Sequence, residues 1–273
     1  GKAAPYSALT IVSTAAWGLG YFGMPHILLR FMAIEDEKKL KLSRRVATIW
    51  VVISLFVAVF IGVIGYTMSK VGALEMLTGS NSETIIVKIS ALLSQHGVIF
   101  ALLAGVILAG ILASTMSTSD SQLLAASSAV SSDILGAFRK DSSNKNGSMA
   151  AARITLLVIS VVAAFIARNP DSSVFAIVSF AWAGFGAAFG PVVLFSLFWK
   201  RTSKWGALAG MVCGGSMVFI WKYLIRPLGG IWNIYELLPA FLIACAAIVI
   251  VSLLTPKPSK EIEEEFDRVA QMK

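Results

Sequence analysis

Charged residues are scarce in this 273-residue chain, and cysteine is nearly absent. Asp, Glu, Lys and Arg together make up 14% of the residues, whereas roughly a quarter of the residues of a soluble domain are charged. With 57% hydrophobic residues and a mean hydropathy of +0.79, this composition excludes an ordinary soluble domain. The shortage of charge therefore predicts a protein surrounded mostly by lipid.

The few cysteines and histidines exclude several kinds of site. Cys213 and Cys245 both fall within apolar stretches, so they offer no disulfide framework and are expected to be small packing residues. His26 has no Cys or acidic companions, as a metal site would require. The apolar stretches also lack a cluster of His, Asp and Glu, which argues against a membrane enzyme. We therefore expect a protein that is not an enzyme.

Long apolar stretches separated by short charged islands dominate the sequence. Seven of them are long enough to cross a hydrocarbon core as helices, which takes about 20 residues. They lie at residues 7–33, 46–69, 98–120, 150–167, 174–199, 205–225 and 234–255. Since lipid offers no partner to backbone polar groups, each stretch is expected to be helical. The sequence thus predicts an all-α membrane protein with seven transmembrane helices, a transmembrane domain at 1–255 and a tail at 256–273.

The lysines and arginines predict how these helices are oriented. Of the 23 Lys and Arg residues, 17 fall on one side when alternate loops are grouped, including the loops at 35–45, 139–148 and 200–204. Positive charge favours the cytoplasmic side of an inner membrane, so we expect the N-terminus outside and the C-terminus in the cytoplasm. Topology and anionic lipid account for the net charge of +8, and a nucleic-acid partner is unnecessary. An outside N-terminus that runs directly into a span leads us to expect a truncated chain whose earlier helices are missing.

Two segments outside the predicted spans have the periodicity of amphipathic helices. In residues 83–94, apolar side chains recur at helical spacing, which indicates a helix on the external face, either an outer lid or a surface helix without a gating role. In the tail, Ile262, Phe266 and Val269 fall on one side of a short acidic helix. We interpret this helix as a solvated tail, with a regulatory docking helix as the alternative.

The first predicted span contains residues that disfavour a continuous helix. Gly18, Gly20, Gly23 and Pro25 lie near its middle, where proline removes a backbone donor and glycine weakens the helix. The span is therefore expected to bend or unwind near residues 18–25. Interrupted helices of this kind build mid-membrane binding sites in many transporters, although a plain proline kink would give the same pattern.

Aromatic and polar side chains surround the expected interruption. Trp17 and Tyr21 flank it at a spacing of four, and His26 directly follows Pro25. An aromatic pair can cover an apolar moiety, while a Tyr hydroxyl and a freed backbone amide can bind a carboxylate. These residues are candidates for one pocket, and ordinary packing is the alternative for the aromatic pair.

The third predicted span ends in a hydroxyl-rich face. Ser114, Ser117, Thr118 and Ser121 fall on one side of a helix, with Asp120 beside them. Hydroxyl and carbonyl oxygens are the ligands that a hard cation such as sodium requires, and an acidic side chain at membrane depth is a functional candidate by default. Helix packing by small residues, and a solvated charge at a helix end, are the alternatives.

The fifth predicted span is rich in small residues. Gly184, Gly186, Gly190 and Pro191 lie among alanines, a pattern that permits either close helix contact or bending. Neither this stretch nor the first span is a nucleotide-binding motif, because both lie within hydrophobic spans.

Three sequence blocks resemble a known family. They read WGLGYFGMPHILLRFMA, LAGILASTMSTSDSQLLAASSAVSSDI and SFAWAGFGAAFGPVVLFSLFWKR, and in this order and spacing they resemble the sodium/solute symporter family, most closely its sodium/proline symporters. The resemblance extends through essentially the whole chain. It implies the second inverted repeat of a LeuT-like fold, core helices six to ten, followed by two peripheral helices, so that the chain is similar to the C-terminal part of such a symporter.

The resemblance also implies residue roles. It assigns substrate contacts to Trp17, Tyr21, Pro25 and His26. For sodium it implies the carbonyl oxygen of Ser114, where an alanine is common in the family, and the hydroxyls of Ser117 and Thr118, with a second cation site near Asp120 and Ser121. The remaining sodium ligands and an important aspartate would lie on the first core helix, outside this sequence.

Function within the family remains open at this stage. Sodium-coupled symport of L-proline is the favoured interpretation. A symporter of another solute, such as pantothenate, and a symporter-like membrane sensor module are the alternatives. Nothing in the tail after Thr255 has the pattern of a kinase or effector domain, which argues against the sensor.

Overall fold

Every regular element in the described part of the chain is helical. The computed structural model describes residues 6–134, 136, 145–168 and 173–271, and these ranges contain no β-strand. The chain divides into two compact units, a discontinuous unit of Gly1–Met32 with Phe175–Lys273 and a continuous unit of Ala33–Val174. The predicted all-α class is confirmed.

Ten α-helices can be numbered along the described ranges. They are α1 Ala8–Ala15, α2 Pro25–Met32, α3 Lys39–Lys70, α4 Ile85–Ser94, α5 Val98–Ser128, α6 Lys145–Ile166, α7 Val174–Phe198, α8 Lys204–Ile220, α9 Leu237–Leu254 and α10 Lys260–Gln271. Short 3₁₀ segments occur at Ala16–Gly23, Gly79–Thr84, Arg226–Leu228 and Gly230–Asn233, and π-helical turns at Ala129–Ile134 and Trp221–Ile225.

Six of the described helices are long and apolar enough to cross a membrane. They extend over Lys39–Lys70, Val98–Ile134, Met149–Ile166, Val174–Phe198, Lys204–Leu228 and Leu237–Leu254. These correspond in order to the last six predicted spans, which makes the protein a multi-pass membrane protein. The first predicted span is not among these six continuous helices, because residues 7–33 form two short helices separated by a tighter segment, and its crossing of the membrane stays a prediction.

The third span is longer than predicted. Helix α5 continues to Ser128 and a π-helical turn follows, whereas the prediction ended the span at residue 120. The hydroxyl of Ser127 donates to the Ala152 carbonyl of α6 at 2.7 Å, so at least this polar residue after 120 contacts a second helix. Of the predicted linker, residues 139–144 lie outside the described residues, and its last four residues belong to α6.

In the discontinuous unit, α8 and α9 pack along a line of glycines. Gly206, Gly210 and Gly214 are buried and recur every four residues, so they share one side of α8. A Cβ added to Gly210 would lie 2.8 Å from Ile248 Cδ1, and one added to Gly214 would lie 3.0 Å from Ala244 Cβ. The absence of side chains lets the two backbones approach closely, a common packing mode of membrane helices.

Helix α7 is the other close-packed helix of this unit. It continues without a break through Pro191 and buries Gly186 and Gly190, together with Ala183 and Ala187. The predicted close packing is confirmed at these two glycines. A Cβ on Gly184, in contrast, would meet no atom within 4 Å, so this glycine is not needed for packing.

In the continuous unit, α4 forms the predicted amphipathic helix. The five apolar residues expected on one face are all half-buried: Ile85, Ile86, Ile89, Leu92 and Leu93. Ile85 lies against Gly65 of α3, where an added Cβ would overlap the isoleucine side chain. On the polar side, Lys88 Nζ lies 2.7 Å from Glu75 Oε1 in the preceding loop. The lid role of this segment stays a prediction.

Helix α10 is the amphipathic tail helix expected from the sequence. Ile262 and Val269 are exposed and Phe266 is half-buried. Lys200 Nζ, in the α7–α8 loop, lies 2.6 Å from Asp267 Oδ2 and 4.0 Å from Glu263 Oε2. The tail is therefore paired with a basic loop on its acidic side, and its apolar side is only partly exposed, so both the solvated tail and the docking helix stay predictions.

Candidate substrate site and candidate cation site

The first predicted span is interrupted in its middle. Helix α1 ends at Ala15, the chain tightens into a 3₁₀ segment at Ala16–Gly23, and Met24 is extended with φ −83° and ψ 113°. Helix α2 then begins at Pro25. A proline ring disfavours the helical conformation of the residue before it, which explains why the extended residue is Met24. The predicted unwinding near residues 18–25 is confirmed.

An aromatic cluster holds the interrupted segment in place. The Trp17 ring stacks on Phe175, Trp182 and Tyr235, with centroids 5.4, 5.7 and 5.8 Å away. Trp182 Nε1 also donates a 2.9 Å hydrogen bond to the Trp17 carbonyl oxygen. A carbonyl at the interruption thereby has a partner, which lipid could not supply. In this structure Trp17 packs the segment, and its contact with substrate stays a prediction.

Two glycines of the interrupted segment are required by its close approach to α7. A Cβ on Gly20 would overlap the Trp182 indole, and a Cβ on Gly23 would lie 2.9 Å from Gly186 Cα. From the other side, a Cβ on Gly186 would lie 2.7 Å from Gly20 Cα. Gly18 has no neighbour within 4 Å of an added Cβ. The glycines at 20 and 23 therefore fix the separation between this segment and α7.

Tyr21 is the most accessible of the candidate substrate residues. Its side chain is 51% exposed, and its ring meets the Trp182 ring edge to face at 4.8 Å. Pro25 and His26 are half-buried and begin α2. Tyr21 therefore presents a phenol hydroxyl close in sequence to a helix N-terminus, and both can bind a carboxylate.

The first amides of α2 lie next to its positive end. The amides of Ile27 and Leu28 both donate to the Met24 carbonyl at 3.0 Å, and Pro25 has no N–H. His26 therefore carries the first N–H of α2, one of the amides that have no carbonyl partner within their own helix. Such an amide, next to the positive end of a helix, suits an anionic group.

Tyr235 belongs to this arrangement, although sequence reasoning did not single it out. Its phenol donates to the Ser179 carbonyl at 2.6 Å, and its backbone amide donates to the Ser13 hydroxyl at 3.1 Å. It also stacks on Trp17, so it joins α1, α7 and the loop before α9. The available signal was an aromatic residue with a polar tip at the edge of a span.

The residue after Tyr235 is a buried acid with a cationic partner. Glu236 is 1% exposed, and its Oε2 lies 2.8 Å from Nη1 of Arg226. Arg226 Nε also donates to the Asn233 side-chain oxygen at 3.0 Å. A buried carboxylate needs such a partner, so this pair stabilises the connection between α8 and α9.

The candidate cation residues lie on α5, in the continuous unit. The Thr118 hydroxyl lies 3.3 Å from the Ser114 carbonyl oxygen, and the Ser121 hydroxyl lies 3.0 Å from the Ser117 carbonyl oxygen. Ser114, Ser117 and Thr118 are exposed within the chain, and Ser121 is half-buried. The predicted one-sided arrangement of oxygens is present, and its binding of a cation stays a prediction.

Asp120 is not at a helix end. It is exposed and lies eight residues before the end of α5 at Ser128. Asp120 therefore does not end the helix, and the alternative of a solvated charge at the cytoplasmic boundary of the membrane stays open. A helix rises about 1.5 Å per residue, so Asp120 lies roughly one hydrocarbon thickness from Val98 at the start of α5.

The candidate residues fall into two groups. The substrate candidates lie in the discontinuous unit, where Trp182 contacts both Trp17 and Tyr21. The cation candidates lie in the continuous unit along a single helix. The roles of both groups stay predictions.

Comparison with known proteins identifies the family. Residues 4–214 match the model of the "Sodium:solute symporter family". The chain is 41% identical over 262 residues to a "Sodium/proline symporter" of Haemophilus influenzae, an alignment that covers 95% of this chain and 51% of that protein. It is 40% identical over 259 residues to a "Sodium/proline symporter" of Salmonella typhimurium, covering 94% and 50%.

A third relative has a different name. The "Osmoregulated proline transporter OpuE" of Bacillus subtilis is 39% identical over 254 residues, covering 93% of this chain and 50% of that protein. The chain thus spans about half the length of the curated relatives it matches, and no solved structure matches it. Because the family model covers most of the sequence, the chain belongs to the sodium:solute symporter family.

Proposed function

We propose that the chain forms part of a sodium-coupled symporter that transports L-proline by alternating access. The interrupted helix at residues 16–24 carries this proposal, because broken helices expose backbone groups to substrate at mid-membrane depth in secondary transporters. Two relatives are named sodium/proline symporters and the third a proline transporter, which supports the choice of ion and solute.

Within this proposal, the helices follow a LeuT-like second repeat. The interrupted segment with α1 and α2 is core helix six, and α3, α5, α6 and α7 are core helices seven to ten. Helices α8 and α9 are then the two peripheral helices, and residues 256–273 form the cytoplasmic tail. Since the relatives are about twice as long, residues outside this chain would complete both sites.

The substrate carboxylate and ring have different proposed partners. The His26 amide and the Tyr21 hydroxyl bind the carboxylate, because both are donors near the positive end of α2. Trp17 and Pro25 contribute to an apolar wall beside the pyrrolidine ring. The exposure of Tyr21 and the tight stacking of Trp17 support this division between a contact residue and a wall residue.

The proposed sodium ligands are the Ser114 carbonyl and the hydroxyls of Ser117 and Thr118. These are hard oxygen donors on one helix, as a sodium ion requires. Asp120 and Ser121 are proposed to contribute to a second cation site. Several further oxygens are needed to complete a coordination shell, and these would come from elsewhere in the protein.

The orientation in the inner membrane rests on the distribution of positive charge. The loops at 35–45, 139–148 and 200–204 are proposed to be cytoplasmic. Single cysteines placed in these loops should resist impermeant thiol reagents added to intact cells and react after the membrane is opened. Efficient labelling of all three loops from outside would reverse the orientation.

Reconstitution tests the function directly. The full-length transporter, purified and placed in proteoliposomes, should accumulate labelled proline when an inward sodium gradient is imposed and not when potassium replaces sodium. Excess unlabelled pantothenate should leave this uptake unchanged. Sodium-driven pantothenate accumulation in place of proline would reassign the solute, and proline binding without accumulation would favour a sensor module.

A further inference from the structure

An apolar groove lies along one end of the α8–α9 pair. It has a volume of about 530 Å³. Its lining includes Trp205, Leu208, Ala209, Val212, Val251 and Thr255. Trp205, Leu208 and Val212 are 52%, 49% and 58% exposed, so the groove is open to the surroundings of the protein. Both helices are candidate spans, so the parts of this face that the rest of the protein leaves uncovered meet lipid.

Positive charge without a carboxylate partner is concentrated at the polar end of this groove. Lys204 is the residue before Trp205, and its Nζ lies 5.2 Å from the centroid of that indole. Lys257 is exposed and follows Thr255 by two residues. In the described part of the chain, neither lysine belongs to an ion pair, whereas Lys200 nearby in sequence is paired with Asp267.

Arg201 adds an unmet hydrogen-bond donor next to the groove. Its Nη2 donates to the carbonyl oxygen of Thr255, one of the lining residues, at 2.9 Å. Its Nη1 is buried and has no hydrogen-bond partner among the described residues. A buried guanidinium nitrogen without an acceptor is costly, and the positive charge of Arg201 adds to that of the two lysines at this end of the groove.

We propose that this groove binds one anionic phospholipid, with an acyl chain along α8 and the phosphate near Lys204, Lys257 and Arg201. Charge complementarity selects an anionic headgroup, since a zwitterionic lipid brings no net charge to three cations. The distance from Trp205 to Val212 along the helix is about 10 Å, enough for the upper part of an acyl chain. Trp205 is the second residue of its candidate span, Lys204–Leu228, and tryptophan is enriched at such span ends, where it meets the headgroup region.

Quenching of Trp205 fluorescence by lipids with brominated acyl chains tests the proposal. The full-length protein is reconstituted with increasing fractions of brominated phosphatidylglycerol or of brominated phosphatidylcholine with the same chains. The Trp205 component is the difference between the unsubstituted protein and Trp205→Phe. We expect half-maximal quenching of this component at a several-fold lower fraction of phosphatidylglycerol than of phosphatidylcholine.

Charge variants identify the headgroup site. In Lys204→Gln/Lys257→Gln, measured with and without Trp205→Phe, the fraction of phosphatidylglycerol needed for half-maximal quenching should rise roughly tenfold or more, because each surface lysine contributes to anionic-lipid binding. The matched control is Lys38→Gln/Lys41→Gln, which removes the same charge from the basic N-terminal end of α3. This control should leave unchanged the fraction of phosphatidylglycerol needed for half-maximal quenching of the Trp205 component.

Three results would overturn the proposal. Equal quenching by the two lipids would show that the headgroup charge is irrelevant. An equal shift in the control variant would show general attraction of anionic lipid to the protein rather than a site. Displacement of the brominated lipid by soluble glycerol phosphate at millimolar concentration would show that the groove adds nothing to binding and that free phosphate is the ligand.

Discussion

Trp182 donates a hydrogen bond from its indole nitrogen to the carbonyl oxygen of Trp17, 165 residues earlier in the chain. The same indole stacks on the Trp17 ring and lies over Gly20. One side chain of α7 therefore supplies the partner of a carbonyl at the helix interruption and covers the turn that follows it. The geometry of the candidate substrate site depends on this contact.

Gly20→Ala should disrupt that contact. The added methyl would overlap the Trp182 indole, so the indole or the 3₁₀ segment must move, at a cost of about 1–3 kcal/mol typical of overpacking. We expect a lower unfolding temperature of the detergent-purified protein and weaker proline uptake. The matched control is Gly18→Ala, where an added Cβ meets open space and stability should be unchanged or slightly higher. Equal stability of the two variants would refute the close approach at Gly20.

Tyr21→Ala should weaken substrate binding much more than folding. The side chain is half exposed, so its removal leaves little buried surface uncompensated, but it removes the proposed hydroxyl donor. The proline concentration for half-maximal uptake should rise about tenfold or more, the value of one lost charge-assisted hydrogen bond. Tyr21→Phe should reproduce most of the loss. The control is Tyr6→Ala, at a more exposed tyrosine of the same unit, which should leave proline uptake unchanged. If Tyr21→Ala also leaves uptake unchanged, Tyr21 packs against its neighbours and does not bind substrate.

Thr118→Ala and Ser117→Ala should each raise the sodium concentration needed for half-maximal uptake severalfold, because each removes one proposed ligand while alanine preserves the helix. Ser114→Ala should be mild, since only the carbonyl of Ser114 is invoked. If sodium and proline binding are coupled, the variants should bind proline weakly at low sodium and normally at high sodium.

Thr115→Ala is the control for the sodium variants. The Thr115 hydroxyl donates to the carbonyl four residues earlier at 2.9 Å, as that of Thr118 does at 3.3 Å, but it lies off the candidate face. Its sodium dependence should be normal. If Ser117→Ala and Thr118→Ala behave like this control across a sodium titration, the hydroxyl face is a packing surface.

The loop before α4 should respond to acid. The hydrogen bond from Lys88 and its positive charge lower the pKa of the Glu75 carboxyl from its usual value of 4.5. The ion pair therefore stabilises this loop fully above pH 4.5. This stabilisation is lost as the pH falls through the lowered pKa. At pH 7, Lys88→Gln should accelerate amide hydrogen exchange in residues 71–78 relative to the unsubstituted protein. The difference should shrink as the pH falls below 4.5, and it should also shrink in high salt. Lys70→Gln should leave the exchange of residues 71–78 unchanged at every pH, and a Lys88→Gln difference that does not shrink with falling pH would contradict the ion pair as its cause.

Local patterns predicted the helices and the interruption, because both depend on neighbouring residues. Apolar length marked the spans, and the glycines together with Pro25 marked the interruption near residues 18–25. Contacts between distant residues had no such signal. Phe175, Trp182 and Tyr235 surround Trp17 from more than 150 positions away, and no local periodicity relates them. The end of α5 was misplaced for a similar reason, since the hydroxyl of Ser127 is satisfied by α6 and not by solvent.

The glycines of α8 restrict how the protein can change shape. At Gly206, Gly210 and Gly214, three successive turns of α8 have no room for even a methyl group against Ser252, Ile248 and Ala244 or the neighbouring backbone. Sliding or rotation of α8 against α9 would bring a larger residue of α8 into these positions, so the two helices must travel as one rigid body. During a transport cycle this pair would keep a fixed internal geometry. Distances between probes placed on α8 and α9 should therefore stay constant while distances between probes elsewhere change.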